Sequence, residues 1–258
     1  MRRLLPLALL ATACTQHFTP LQNRVAVGKE PYVVFAADGA GGQGDLFAAS
    51  TSGGSAYQFT YSLADESRPA LDPSGVMVAF VRTPNDTDRA SRRVWVMNML
   101  NGHEREIDTL AAGAIPERLA WSADGRKVYI AATTGLWAVA APPLDSAPRR
   151  LSGPDSVAAD SALAVMVGAP PFARIAPCHP GADDVCAFSG AAAPSLVDAP
   201  ARDPFRWGAD SLGYFVGERI VVRPVGPGRT RELQIERVPD HPRDATRFAG
   251  PPDTTSMR

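Results

Sequence analysis

A recurring turn sets the strongest limit on what this chain can fold into. Asp72-Pro-Ser-Gly75, Ser122-Ala-Asp-Gly125, Ala158-Ala-Asp-Ser161 and Gly208-Ala-Asp-Ser211 each separate a short segment from a strongly apolar one. The leading segments are Arg68-Pro-Ala-Leu71, Glu117-Arg-Leu-Ala-Trp121, Ser156-Val157 and Pro204-Phe-Arg-Trp207. The trailing ones are Val76–Val81, Lys127–Ala131, Ala162–Val167 and Leu212–Val216. Their β-branched and aromatic residues suit a pleated, buried surface, and apolarity this continuous over so short a run indicates a strand covered on both faces. A third strand follows in most units (Arg93–Met99, Gly135–Ala140, Arg219–Arg223), then a turn and a polar outer strand such as Glu104–Ile107 or Thr230–Ile235. Asn101-Gly102 in one of those turns is a strong hairpin signal.

A looser first unit comprises Arg24–Gly28, Tyr32–Ala36, Asp45–Ala48 and Tyr57–Tyr61, and the turns at 28, 75, 125, 161 and 211 lie 47, 50, 36 and 50 residues apart. Four strands repeated at that period are the signature of propeller blades. The expected fold is therefore all-β, a β-propeller of five four-stranded blades over residues 23–238. A six-bladed ring would have to draw its last blade from residues 239–258, a polar, proline-rich stretch that reads as a disordered tail.

The stretches Leu119-Ala-Trp-Ser-Ala-Asp-Gly-Arg-Lys-Val-Tyr-Ile130 and Leu71-Asp-Pro-Ser-Gly-Val-Met-Val-Ala-Phe80 resemble the repeat of TolB-type β-propellers, with Gly44-Asp-Leu-Phe47 and Val94-Trp-Val-Met97 similar to its following strand. The resemblance departs in the fourth unit, where the turn ends in Ser161 and no aromatic precedes it. It implies a periplasmic protein that binds partners, with aromatics packed between blades and no chemistry in the repeat itself.

The first sixteen residues concern location. Arg2 and Arg3, the apolar Leu4–Leu10 and the small residues Ala11-Thr-Ala13 form a secretory signal over residues 1–13. Cys14 directly follows, as in a bacterial lipobox, and is the expected lipid attachment, with 14–22 as tether. An ordinary cleaved signal with Cys14 as a chance neighbour is the alternative. About ten apolar residues are too few to span a bilayer, so membrane attachment rests on lipid, and Thr15 leans toward the outer membrane. Acylation of Cys14 also accounts for an odd cysteine count. Cys178 and Cys186, eight residues apart, are expected to pair across a hairpin tip in an oxidising compartment; a metal site would need more ligands than these two and His179.

Net charge is −1, with 26 Lys and Arg against 27 Asp and Glu and no long basic run, which gives no support to a nucleic-acid partner. His17, His103, His179 and His241 fall in tether, turns and tail, and the sequence contains no Gly-x-Ser-x-Gly elbow. No catalytic residue, metal or cofactor is assigned. Propellers act where loops meet at one end of the channel, here the 82–92 loop and the 172–186 hairpin. The expected function is a non-enzymatic interaction module whose partner is another envelope protein or membrane complex. The alternative is a carbohydrate- or ligand-binding propeller with hydrolase or lyase activity in the channel, where Arg68, Glu117, Arg118, Asp203 and Arg206 are the candidate residues.

Overall fold

The computed structural model describes residues 21, 24–84, 88–107, 110–141, 147–167, 173–179, 183–189, 194–225 and 228–251. Cys14, the signal and most of the tether lie outside them. No helix among the described residues is long and apolar enough to cross a membrane.

Five four-stranded antiparallel sheets form the blades of a β-propeller. Blade 1 contains β1 (Tyr32–Asp38), β2 (Gly44–Ser50) and β4 (Tyr57–Gln58), with the two-residue β3 (Gly54–Ser55) beside them. Blade 2 is β5 (Asp65–Leu71), β6 (Met77–Thr83), β7 (Arg93–Asn98) and β8 (Glu104–Glu106). Blade 3 is β9 (Pro116–Trp121), β10 (Lys127–Ala132), β11 (Gly135–Ala140) and β12 (Arg149–Arg150). A helix, α1 (Pro154–Leu163), precedes blade 4, which is β13 (Val165–Val167), β14 (Ala173–Pro177), β15 (Val185–Phe188) and β16 (Ser195–Asp198). Blade 5 is β17 (Arg202–Arg206), β18 (Ser211–Val216), β19 (Arg219–Pro224) and β20 (Arg231–Glu232). Two strands follow: β21 (Ile235–Glu236), which pairs in parallel with β3, and β22 (Arg243–Phe248).

The last strand closes the ring. Blade 1 runs β22-β1-β2-β4, so the C-terminal strand is its innermost member. This corrects two expectations at once. Residues 243–248 are not disordered tail, and Arg24–Gly28 is not a strand; it is a run of turns, with Lys29 N–H bonded to the Ala26 carbonyl at 2.9 Å. Val25 and Val27 are apolar because they pack, with the 1 %-exposed Leu21, into the core between blades 1 and 2.

The repeated turn works as its sequence suggests. Asp72 accepts the N–H groups of Val76 (2.8 Å) and Met77 (2.7 Å), and Ser122 accepts that of Lys127 (2.9 Å). Gly75 adopts a left-handed φ of 66°, open to glycine at little steric cost. The aromatic before the turn stitches blades together: buried Trp121 donates from Nε1 to the Ala70 carbonyl of blade 2 at 2.8 Å. Large apolar clusters fill the blade 1–2, 2–3, 4–5 and 5–1 interfaces.

Blade 4 departs from the pattern. The expected Ala158–Ser161 turn is helix, and Ala162–Val167 splits into helix end and inner strand. Pro154 stands at the first helical positions with Asp155 beside it and an alanine-rich run behind, a combination that favours helix initiation. Ala159 and Leu163 are its buried residues, and only a small cluster of Ala138, Leu151 and Ala159 lies beneath it.

Candidate functional site at the channel mouth

All inner strands begin at one face of the propeller, termed the front. There the β1–β2, β6–β7 and β14–β15 loops also emerge, so the 82–92 loop and the disulfide hairpin share this face. Cys178 and Cys186 are bonded, with Cα atoms 4.9 Å apart, across the front tip of blade 4.

The inner strands enclose a channel cavity of about 830 Å³. Four of them break their ladder near the start, after the first residue in three strands and after the third in β5. The register shifts fall between Arg243 and Ala245, Ser67 and Ala70, Pro116 and Arg118, and Arg202 and Phe205. A bulge of this kind leaves a residue unpaired and re-aims its side chain. The residues set free are Asp244, Arg68, Glu117 and Asp203, all lining the cavity. In two blades proline follows (Pro69, Pro204), at a position where a missing N–H costs the ladder nothing. Arg68, Asp203 and Asp244 hold left-handed φ values of 56°, 51° and 47°, conformations that cost on the order of 1–3 kcal/mol each in non-glycine residues.

The electrostatics of this ring are uneven. Burial and then the neighbouring Asp244 carboxylate push Asp203 above the usual carboxylate range, although Arg202 lies 3.5 Å away. Asp244 accepts the backbone N–H of Arg68 at 3.2 Å. Outside the ring, Arg243 bridges Asp38 (3.1 Å) and Asp65 (2.9 Å), and His241 Nδ1 lies 2.8 Å from Asp38. Burial opposes ionisation of Asp38, but those hydrogen bonds prevail and hold it below its ordinary range.

The five channel candidates separate by depth. Arg68, Glu117 and Asp203 stand on the front bulges. Arg118 reaches the Leu163 carbonyl at the C-terminus of α1 (3.4 Å). Arg206 ends its strand at the rear and bonds the Gly208 carbonyl at 3.3 Å. Asp244 was missed because it sits in the stretch read as tail; the signal available was the spacing of Asp244 from Phe248, which parallels that of Asp203 from Trp207. Among the described residues, no cluster of three or more His, Cys, Asp or Glu side chains is placed to hold a metal.

Blade 4 contributes no charged bulge. Its inner strand pairs only with Ala173–Ile175, so Ala176 and Pro177 of β14 face the cavity without an inner neighbour. The last turn of α1 fills part of that gap.

Fold and channel together define a five-bladed β-propeller closed by its C-terminal strand. No protein-family model matches the chain, and no curated protein matches it. Among solved structures, it is similar to a chain of a nidogen/laminin complex (TM-score 0.53, 10 % identity, 84 % of this chain and 98 % of that one). It is also similar to TolB from Acinetobacter baumannii (TM-score 0.44, 11 % identity, 79 % of this chain). A putative TolB from Agrobacterium tumefaciens is a further likeness (TM-score 0.40, 14 % identity, 78 % of this chain). The chain spans 52 % and 60 % of those two TolB chains. At these identities the likeness is one of fold, and the TolB-type repeat read from the sequence is carried on a propeller.

Proposed function

We propose that the chain is a lipid-anchored envelope β-propeller, attached through Cys14, that acts as a non-enzymatic interaction module and docks another envelope protein or membrane complex on its front face. The observation that carries this reading is the front rim between blades 1 and 2. There Leu63 is 97 % exposed and Tyr61 62 % exposed, two large apolar groups within three residues. Exposed aromatic and aliphatic groups set among charged ones are what protein partners bury. The anchor fits this orientation. Leu21 is buried in the blade 1–2 core, in the cluster that also takes in Val76 of the rear turn, so the seven residues from Cys14 to Leu21 hold the rear face within about 25 Å of the acyl group. The front rim then points into the compartment, and the outer membrane is the favoured site on the strength of Thr15.

The test is crosslinking of the native membrane-bound protein followed by identification of its neighbour. A stoichiometric envelope partner is expected, and Leu63→Asp should abolish the crosslink while leaving the melting temperature unchanged. Recovery of no stoichiometric partner would overturn the reading.

The channel favours a second reading, a carbohydrate- or ligand-binding propeller with hydrolase or lyase activity. Its support is the Asp203–Asp244 pair, with burial pushing Asp203 up, and the exposed Glu117 on another wall of the same cavity of about 830 Å³. Activity on polysaccharide that disappears in Glu117→Gln would establish it.

A further inference from the structure

The rear mouth of the channel is basic where blades 5 and 1 meet. Arg206 ends β17 and Arg247 lies one residue before the end of β22, and both line the cavity. Each stands three residues beyond a bulge carboxylate, Asp203 or Asp244, so the two hold matching positions on adjacent inner strands. Their guanidinium groups are fastened to one turn. The N–H groups of Trp207 and Gly208 both bond the Ser211 carbonyl (3.1 and 3.2 Å), and the carbonyls of those same two residues hold the arginines. Arg206 Nε donates to the Gly208 carbonyl at 3.3 Å, and Arg247 Nη1 donates to that of Trp207. The Arg247 guanidinium also lies over the Trp207 ring, Cζ 4.7 Å from its centroid, and Arg231 of β20 lies over the same ring at 5.5 Å.

Other arginines near the channel have counter-charges. Arg202 lies 3.5 Å from Asp203, and Arg243 bridges Asp38 and Asp65. Arg206, Arg231 and Arg247 make no ion pair among the described residues. Glu232, next to Arg231, bonds Arg219 at 3.0 Å, and Asp210 is exposed. Asp203 and Asp244 stand three residues, or about 10 Å, back along their strands toward the front. Donors are in excess as well. Both Nη atoms of Arg206 and Nη2 of Arg247 make no hydrogen bond among the described residues. Burial, then the neighbouring Arg231, hold the Arg247 guanidinium below its ordinary range, and no carboxylate opposes them.

We propose that Arg206 and Arg247, supported by Arg231 over the same Trp207 ring, form a binding site for a phosphate-type oxyanion at the rear mouth of the channel. The site lies at the opposite end of the channel from the docking surface and does not depend on that reading. Planar guanidinium forks make paired, charge-assisted hydrogen bonds to oxyanions. One fork satisfies a carboxylate; two forks arriving from different strands suit a tetrahedral group with more acceptor oxygens. Anchorage on Trp207 and Gly208 fixes both groups before a ligand arrives, which lowers the ordering cost of binding. A bound anion would also offset the positive charge that Arg231 and Arg247 concentrate about one ring. The proposed anchor at Cys14 brings lipid headgroups to this same face, so the test separates a free phosphate from one carried by a lipid.

The experiment uses the full chain carrying Cys14→Ser, which leaves no thiol there to acylate. One arm is calorimetric titration with inorganic phosphate at fixed ionic strength, so that screening is constant. The other is co-sedimentation with vesicles of phosphatidylglycerol, with phosphatidylcholine vesicles as the zwitterionic reference. Saturable binding is expected in at least one arm: with inorganic phosphate for a free ligand, with phosphatidylglycerol alone for a lipid-borne one. Arg206→Gln should weaken it roughly ten-fold or more, a lost charge-assisted bond being worth about that factor. Arg206 is exposed, so its variant should melt as the parent does. Arg247→Lys, which keeps the charge but loses the fork, should weaken binding too. Arg126→Gln, an exposed change in the rear turn of blade 3, should leave it unchanged. No saturable binding in either arm up to about 10 mM phosphate or lipid overturns the proposal. So does equal weakening by Arg126→Gln, which would mean a diffusely basic face.

Discussion

Ring closure by β22 can be tested through one contact. Phe248 is 5 % exposed and packs on Tyr32, ring centroids 5.6 Å apart. Across the blade 1–2 boundary it covers Gly75: a Cβ added there would fall 2.5 Å from the Phe248 ring. Gly75→Ala therefore suffers twice. A left-handed φ of 66° costs alanine on the order of 1–2 kcal/mol, and overpacking against the ring adds about 1–3 kcal/mol. Phe248→Ala removes a buried ring and should cost about 3–5 kcal/mol. At roughly 2–4 °C per kcal/mol for a domain of this size, either change is visible as a fall in melting temperature. The double variant decides the matter. With the ring gone the added methyl has room, so only the backbone strain of Gly75→Ala remains. The two costs should then fall short of additive by about 1–3 kcal/mol in urea unfolding followed by tryptophan fluorescence. Costs that add within about 0.5 kcal/mol, as for sites that do not touch, would refute the closure contact.

Further outcomes follow from other sites. Asp45 is 1 % exposed, and burial, then the nearby Glu66, raise its pKa to about 6. A carboxyl with a raised folded pKa binds more protons folded than unfolded, so stability should fall as pH rises from about 4 to 6 and level off above. Asp45→Asn should remove that slope and stabilise the protein at pH 8 by on the order of 2 kcal/mol, measured by urea unfolding across pH. Opening the Cys178–Cys186 bridge by Cys178→Ser with Cys186→Ser should cost about 2–3 kcal/mol, given the short loop it closes; a thermal melt with and without reductant checks it. Trp121→Phe leaves the Ala70 carbonyl without its 2.8 Å donor and should cost about 1–3 kcal/mol, with an unchanged fold by circular dichroism.

The sequence made four of the five blades legible because their second strands are buried on both faces and separated by turns of fixed chemistry. Two places resisted. β22 reads Arg243-Asp-Ala-Thr-Arg-Phe248, and only Phe248 is fully buried. A strand that lines a channel on one side and is hydrogen-bonded by a neighbour on the other needs little apolar surface, so hydropathy does not reveal it. The flanking Pro239, His241 and Pro242 added to the impression of a tail. In the fourth unit, Ala158-Ala-Asp-Ser161 is spelled like the other turns, yet Pro154 and the alanines make helix cheaper; the shortened spacing of 36 residues was the sign that an inner strand had been cut short. The pairing of Cys178 with Cys186 was legible from their short separation together with the oxidising compartment that the signal segment implies. The mouth was half legible: Arg68, Glu117 and Asp203 could be placed on first strands, but their convergence needed the bulges, which no local pattern announces.

The same irregularities explain why a site would sit at this mouth. An inner strand with a continuous ladder presents alternate side chains into the channel at fixed heights. The bulge near each start frees one residue from that alternation, and in blades 1, 2, 3 and 5 the freed residue is charged. Since all four bulges lie at the same height, they gather Asp244, Arg68, Glu117 and Asp203 at one level without any long loop. Blade 4 trades its bulge for the end of α1, which leaves the ring of charges open on the side of the disulfide-bonded tip. A ligand approaching from the front would then meet an asymmetric ring: carboxylates where blade 5 meets blade 1, the Arg68 guanidinium on blade 2, Glu117 on blade 3, and a wall of Ala176 and Pro177 on blade 4. Orientation of a bound group is thus built into the inner strands.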